Sequence, residues 1–212
     1  MVGSIALLRY YSNLDKVSLI IGTGFLGTAF LDGYHAVVTS TWLMHHLPSE
    51  LHALSPWSWF APRLFLSVVL FYSYWVWHAE ETSGTKNKAT ATLIYAWSIF
   101  FTVGSFLFFV FFPLPSAYYP NLPFHRPQEF LPALFFALAL VGYLRKGAWR
   151  DNSFEHWLVL ALIVNLVSQT VFMSFSSQVF DIQFDAAHLL KIISYLCVLV
   201  GLFIHMFDSF KL

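Results

Sequence analysis

Residues 22–35 read GTGFLGTAFLDGYH, and the reading of this stretch decides the fold. Gly22-x-Gly24-x-x-Gly27 matches the dinucleotide-binding fingerprint letter for letter. That fingerprint works only at a strand–turn–helix junction, where pyrophosphate meets a helix N-terminus. Here the glycines sit inside an apolar run from about 17 to 44, with no βαβ unit around them. The context excludes a nucleotide loop. Small residues inside a membrane helix let a neighbouring helix approach closely, and Thr23 with Gly27 and Gly24 with Thr28 have the small-xxx-small spacing. A close-packed helix face is therefore expected; room for a flat ligand such as a porphyrin is the alternative.

Working outward, the rest of the chain supports a membrane setting. Only 10% of its 212 residues are charged, against roughly 25% in a soluble domain. Twenty-four Phe and eight Trp need apolar surroundings, and a lipid bilayer supplies them. The single cysteine, Cys197, excludes an internal disulfide framework, and the zero net charge gives no sign of a nucleic-acid partner. A span needs about 20 mostly apolar residues. Six segments qualify, at about 17–44, 59–78, 90–113, 128–145, 155–175 and 186–207. The first is long enough to tilt or to project beyond the bilayer. VGSIALLRYY, residues 2–11, is half a span and lacks the features of a signal peptide. It reads as the second half of a helix whose first half is missing, with an interfacial helix as the alternative. The expected fold is all-α: a polytopic transmembrane helix bundle over residues 1–212, with six full spans plus a partial N-terminal helix.

Basic residues set the orientation. Arg9, Lys16, Lys86, Lys88, Arg145, Lys146, Arg150 and Lys211 fall on one side, and Arg63, Arg126 and Lys191 on the other. Loops at 9–16, 79–89 and 146–154 and the C-terminus are then cytoplasmic. Those at 45–58, 114–127 and 176–187 face outward.

Asp32 and His35 are three residues apart and share one helix face in the outer part of the first span. Ionisable groups within a span are costly and mark a site by default. DAAHLLK, residues 185–191, mirrors them at the start of the last span with His188 and Lys191. Asp32 is expected to pair with Lys191, with the two imidazoles facing one cavity. An ion pair that only staples the first span to the last is the equal alternative. MHHLPSELH, residues 44–52, adds His45, His46 and His52 beyond the first span. Imidazoles suit haem iron or a transition metal. A metal or haem b site would draw on His35 and His188, with His45 and His46; incidental loop histidines are the other reading.

Asn165 and Gln169 share a face of the fifth span and are expected to hydrogen-bond a neighbouring helix. Glu80 and Glu81 read as a solvated loop. PLPSAYYPNLPFHRP, residues 113–127, reads as an irregular outer loop. No Walker motif, nucleophile elbow or internal repeat is present. A hydrolase assembled from Ser40, Asp32, His35 and His188 is a construction without a motif behind it.

IGTGFLGTAFLDGYHAVVTS (21–40), LSPWSWFAPRLFLSVVLF (54–71) and FDAAHLLKIISYLCVLVGL (184–202) resemble the membrane-associated sensor (MASE-type) domains of bacterial signalling proteins. Those domains precede PAS, diguanylate cyclase or histidine kinase modules. The resemblance runs over most of the chain and implies that Asp32, His35, Arg63, His188 and Lys191 are the ligand-binding positions. It also implies a last helix that continues from HMFDSFKL into a cytoplasmic output domain, and a homodimer. The reading reached is a non-enzymatic sensory input domain of the bacterial inner membrane. An integral-membrane haem or metal protein with redox or hydrolytic activity is the competing class.

Overall fold

The computed structural model describes residues 1–40, 46, 48–83 and 91–210. Among them are seven α-helices and no strand: α1 (Val2–Asn13), α2 (Lys16–Val38), α3 (Leu51–Ser83), α4 (Ala91–Phe111), α5 (Phe130–Lys146), α6 (Ser153–Val167) and α7 (Ile182–Phe210). Helix is the outcome that an apolar solvent enforces, because every backbone N–H and C=O must be satisfied within the segment. Six helical segments among the described residues are long and apolar enough to cross a membrane: α2, α3, α4 and α7, and α5 and α6 together with their adjoining turns, Pro127–Lys146 and Ser153–Phe175. The chain is an all-α polytopic membrane protein in contact with lipid.

Helix α2 is the hub. In its most apolar stretch 61% of residues are buried, against 17% in α4, which faces outward with Trp97, Phe100, Phe101 and Phe111. The three glycines explain how α2 reaches that burial, because each admits a different contact. A Cβ on Gly22 would lie 2.9 Å from the Leu7 side chain of α1. One on Gly24 would collide with Val69 of α3. One on Gly27 would sit 2.6 Å from Phe65 of α3 and 2.9 Å from Thr102 of α4. Close helix packing is the structural role of the motif.

The principal core joins α1, α2, α3, α5, α6 and α7 through Ala6, Phe25, Leu66, Phe136, Leu158 and Leu202. At one end of the bundle the charges pair off. Asp15 caps α2 by accepting from the Val17 and Ser18 N–H groups, Lys16 meets Glu80 at 2.6 Å, and Lys146 meets Glu155. This is the end at which α2 and α6 begin and α3, α5 and α7 finish, and it is called the basic end below.

Several boundaries differ from expectation. The longest helix is α3, not the first span: α2 stops at Val38, with residues 41–45 outside the described set. Residues 51–58, expected in an outer loop, are the first turns of α3. Its 33 residues span about 50 Å at 1.5 Å per residue, more than the bilayer core. Pro62 lies inside this helix without ending it. A Pro in a membrane helix frees a carbonyl one turn back, and nearby Ser groups and packed neighbours make that tolerable. Glu80 and Glu81 belong to the last turns of α3 rather than to a loop. The fifth span is regular only to Val167 and continues as a π-turn (Ser168–Phe172) and a 3-10 turn (Met173–Phe175). Such π-turns are frequent at functional sites. Of the basic residues in the orientation count, Arg63 and Lys191 lie inside α3 and α7, and Arg9, Lys16, Arg145 and Lys146 lie inside α1, α2 and α5; Lys86, Lys88 and Lys211 lie outside the described residues.

Candidate functional site

Four helices bring one polar chain together in the half of the bundle away from the basic end. Asp32 leaves α2 two turns before its end. Its Oδ1 accepts from Lys191 Nζ at 2.6 Å and its Oδ2 from the Tyr195 hydroxyl at 2.9 Å. Lys191 and Tyr195 are one turn apart on α7, so a single carboxylate holds two successive turns of that helix. Tyr195 oxygen accepts in turn from Arg63 Nη2 of α3. Arg63 Nη1 donates to Asn165 Oδ1 of α6 at 3.1 Å, which also accepts from Ser194 Oγ at 3.3 Å. The expected Asp32–Lys191 pair is present, and Asn165 bonds neighbouring helices as expected.

Above this chain stand the imidazoles. His35 and His188 ring centroids are 6.3 Å apart and tilted by 31°. His188 Nδ1 lies 2.8 Å from the Phe184 carbonyl oxygen, which can only accept, so Nδ1 carries the proton. His35 Nδ1 lies 2.7 Å from Ser58 Oγ, whose own hydrogen goes to Leu54 O at 2.6 Å. The neutral ring again holds its proton on Nδ1. Both tautomers are assigned from the hydrogen-bond network, and both leave Nε2 as an acceptor. His188 packs against the tilted rings of Trp59 at 3.9 Å and Phe184 at 4.1 Å. Lys191 Nζ stands 4.6 Å from the Trp59 ring and the Arg63 guanidinium carbon 5.5 Å from it.

A second ion pair lies nearby. Arg126 Nη2 donates to Glu129 Oε1, and neither side chain has any solvent exposure. Arg126 is fixed further by its peptide N–H on Ser174 O at 3.1 Å and by Nη1 on Met173 Sδ at 2.7 Å. In the sequence Arg126 counts only as an outer basic residue of an irregular loop, with no partner expected for it. The available signal was an Arg and a Glu three residues apart in an apolar, proline-rich stretch. Tyr118 in that loop is half-buried, and burial pushes its phenol above the ordinary value.

Several buried polar atoms here have no hydrogen-bond partner among the described residues: Trp59 Nε1, Arg63 Nε, Arg126 Nε, Glu129 Oε2 and both ends of the Gln169 amide. Gln169, expected to bond a neighbouring helix, has no such partner. In the polar cluster itself three cations (Arg63, Lys191, Arg126) face two carboxylates (Asp32, Glu129), while Asp181 and Asp185 lie at the start of α7 and Glu50 is exposed just before α3.

The other candidates scatter. His46 is exposed and His45 lies outside the described residues. No group of three or more His, Cys, Asp or Glu is placed to hold a metal ion among the described residues. The hydrolase combination does not assemble: the Asp32 oxygens take Lys191 and Tyr195, His35 meets Ser58, and Ser40 donates to the Val37 carbonyl at 2.5 Å. Chemically the arrangement is rich in donors and centred on α7.

A family model, MASE3, described as a membrane-associated sensor domain, matches residues 1–209. No curated protein and no solved structure matches the chain.

Proposed function

The chain belongs to the membrane-associated sensor domain family, and from that premise we propose that it is a sensory input module whose moving part is α7. The observation that carries this reading is the double hold of Asp32 on Lys191 and Tyr195. Only 22% of the most apolar stretch of α7 is buried, the least of the spans after α4. Polar contacts therefore carry an unusual share of its attachment to α2 and α3. A ligand that binds one arrangement of the Asp32–Tyr195–Arg63 chain better than another shifts α7 by its difference in affinity. The ligand-binding residues are Asp32, His35, Arg63, His188 and Lys191. The basic end lies in the cytoplasm of a bacterial inner membrane, and α7 passes the shift to a cytoplasmic output domain that works as a homodimer.

The test is a distance between spin labels at lipid-exposed Leu144 of α5 and Phe203 of α7, in a Cys197→Ser background. Asp32→Asn should move or broaden that distance by about 2 Å, the scale of helix shifts in switching proteins. An unchanged distribution would sink the α7 reading.

A second reading has one observation in its favour. Metal-ligating histidines characteristically donate one ring N–H to a carbonyl or other acceptor and leave the second nitrogen for the metal. His35 and His188 are both arranged so. The surplus of cations around them opposes a further positive ion. An absorption spectrum with metal analysis of the purified protein separates the cases. A haem band or a stoichiometric metal lost in His35→Ala and His188→Ala establishes the metal reading, and neither signal removes it.

A further inference from the structure

We infer that the unbalanced charge at Arg63 is the recognition group for a carboxylate, and that the stimulus is a monocarboxylic acid with an apolar body. This rests on the sensor reading above and names the ligand class of the same site. Arg63 is 1% exposed, within a membrane helix, and among the described residues no carboxylate bonds it. Its partners are the neutral Asn165 and Tyr195. The nearest acid, Asp32, is reached through the Tyr195 hydroxyl and is already paired with Lys191. Arg126 and Glu129 cancel each other. The surplus is one positive charge, located at Arg63.

A buried, uncompensated guanidinium is among the most costly features a membrane protein can keep, and it marks a site by default. The surplus fits a monoanion. Its shape is fixed by the orphaned donor: Arg63 Nε–H lies on the planar edge with which guanidinium binds a carboxylate in two-pronged fashion. Trp59, one turn earlier on α3, offers a second orphaned donor in Nε1–H, and Gln169 in the π-turn carries a third in its amide nitrogen. The neighbouring side chains are apolar. Trp59 packs with Met173, Phe184 and Ala187, all buried, and with Phe172 beside them. A bare inorganic anion leaves this apolar surface unused, whereas a hydrocarbon body packs against it. A metal cation meets the same surplus positive charge.

The acid has two possible sources, water on the outer side or the bilayer itself as a free fatty acid. The experiment separates them with the intact protein in lipid nanodiscs. Hexanoate is titrated from solution and oleate is added within the lipid, each beside its methyl ester as an uncharged control. Saturable binding is read from thermal unfolding and tryptophan fluorescence. The acid should bind and the ester should not. Arg63→Lys keeps the charge but loses the fork, and should weaken binding about tenfold, the effect of roughly 1.4 kcal/mol. Trp59→Phe, which keeps the ring and removes the N–H, should weaken it several-fold. Hexanoate binding assigns the acid to the aqueous side, and binding of oleate alone assigns it to the lipid. Equal binding of acid and ester, no binding of either acid, or affinities unchanged in both variants would overturn the inference. The spin-label test of Asp32→Asn needs no ligand. The sensor reading therefore survives if only carboxylate binding fails, and the carboxylate site survives if only the α7 shift fails.

Discussion

Two lysine–carboxylate pairs of equal length, 2.6 Å, sit in different halves of the molecule and do different work. Lys16–Glu80 ties the start of α2 to the end of α3 at the basic end. It stops there, with its side chains 21% and 24% exposed. Lys191–Asp32 ties α7 to α2 and does not stop: through Tyr195 the same carboxylate reaches Arg63, and through Arg63 it reaches Asn165 and Ser194. The first pair is a balanced staple that water and headgroups can replace. The second, with its side chains 12% and 19% exposed, is one negative charge shared by Lys191 and, through Tyr195, the buried Arg63. Distance alone does not distinguish a staple from a site; charge balance and continuation do.

The largest expected effect comes from removing the shared charge. Asp32→Ala leaves Lys191 and Arg63 without a carboxylate and should cost about 3–5 kcal/mol, the usual penalty for orphaning a buried charge. Arg63→Met removes the surplus and leaves Lys191–Asp32 intact, so it should cost clearly less although Arg63 is the more buried residue. Denaturant unfolding in a fixed detergent ranks the two. If Arg63→Met proves the more damaging, the charge accounting is wrong.

The next effect tests what holds the two halves in register. Gly24 lets α2 lie against Val69 of α3, and the Asp32–Tyr195–Arg63 chain depends on that separation. Gly24→Leu should cost about 1–3 kcal/mol through overpacking. Gly33→Ala and Gly104→Ala, whose added methyl would meet nothing within 4 Å, should be neutral or slightly stabilising. Equal effects at the three positions would remove the packing role from the motif.

These particulars show what was legible in the sequence. Composition and run length placed six spans because lipid leaves a chain few alternatives. The i, i+3 spacings of Asp32 with His35 and of His188 with Lys191 suggested facing pairs, since helix periodicity is local information. The start of α3 lies earlier than expected: residues 51–58 read as an outer loop but are helical. The partners of Arg63 could not be read: Asn165 and Tyr195 are 102 and 132 residues away, and only the folded bundle joins them. Arg126 was hidden by its own neighbourhood, because prolines signal a loop and a loop signals solvent, whereas this one folds inward onto Met173 and Ser174.

A smaller effect belongs to the entry of α7. Burial pushes the Asp181 carboxyl up, but N–H groups of Phe184, Ser177 and Gln178 hold it below its ordinary value. A depressed carboxyl contributes stability that is present above its ordinary value, near 4, and lost as pH falls through the lower folded one. Asp181→Ala should cost about 1 kcal/mol at neutral pH, as for other helix caps. The difference from the parent should vanish in strongly acidic solution. Unfolding midpoints across pH 2–7 check it, and a gap that grows toward acid would reverse the sign.

The smallest effect is expected at the other lysine. Lys16→Ala should cost no more than about 1 kcal/mol, because a partly exposed pair gains little over its hydrated partners. Glu80 then returns to water at the end of α3 without stranding another charge, and raised salt should shrink the difference further. Lys191→Ala provides the matched measurement. It too deletes a lysine from a 2.6 Å pair, but Asp32 keeps Tyr195 and, through it, the surplus charge of Arg63. Charge balance is therefore better after this deletion than before it. Lys191→Ala should cost much less than Asp32→Ala while still loosening α7, and salt should leave its cost unchanged. A Lys16→Ala penalty as large and as salt-insensitive as that of Asp32→Ala would erase the distinction between the staple and the site.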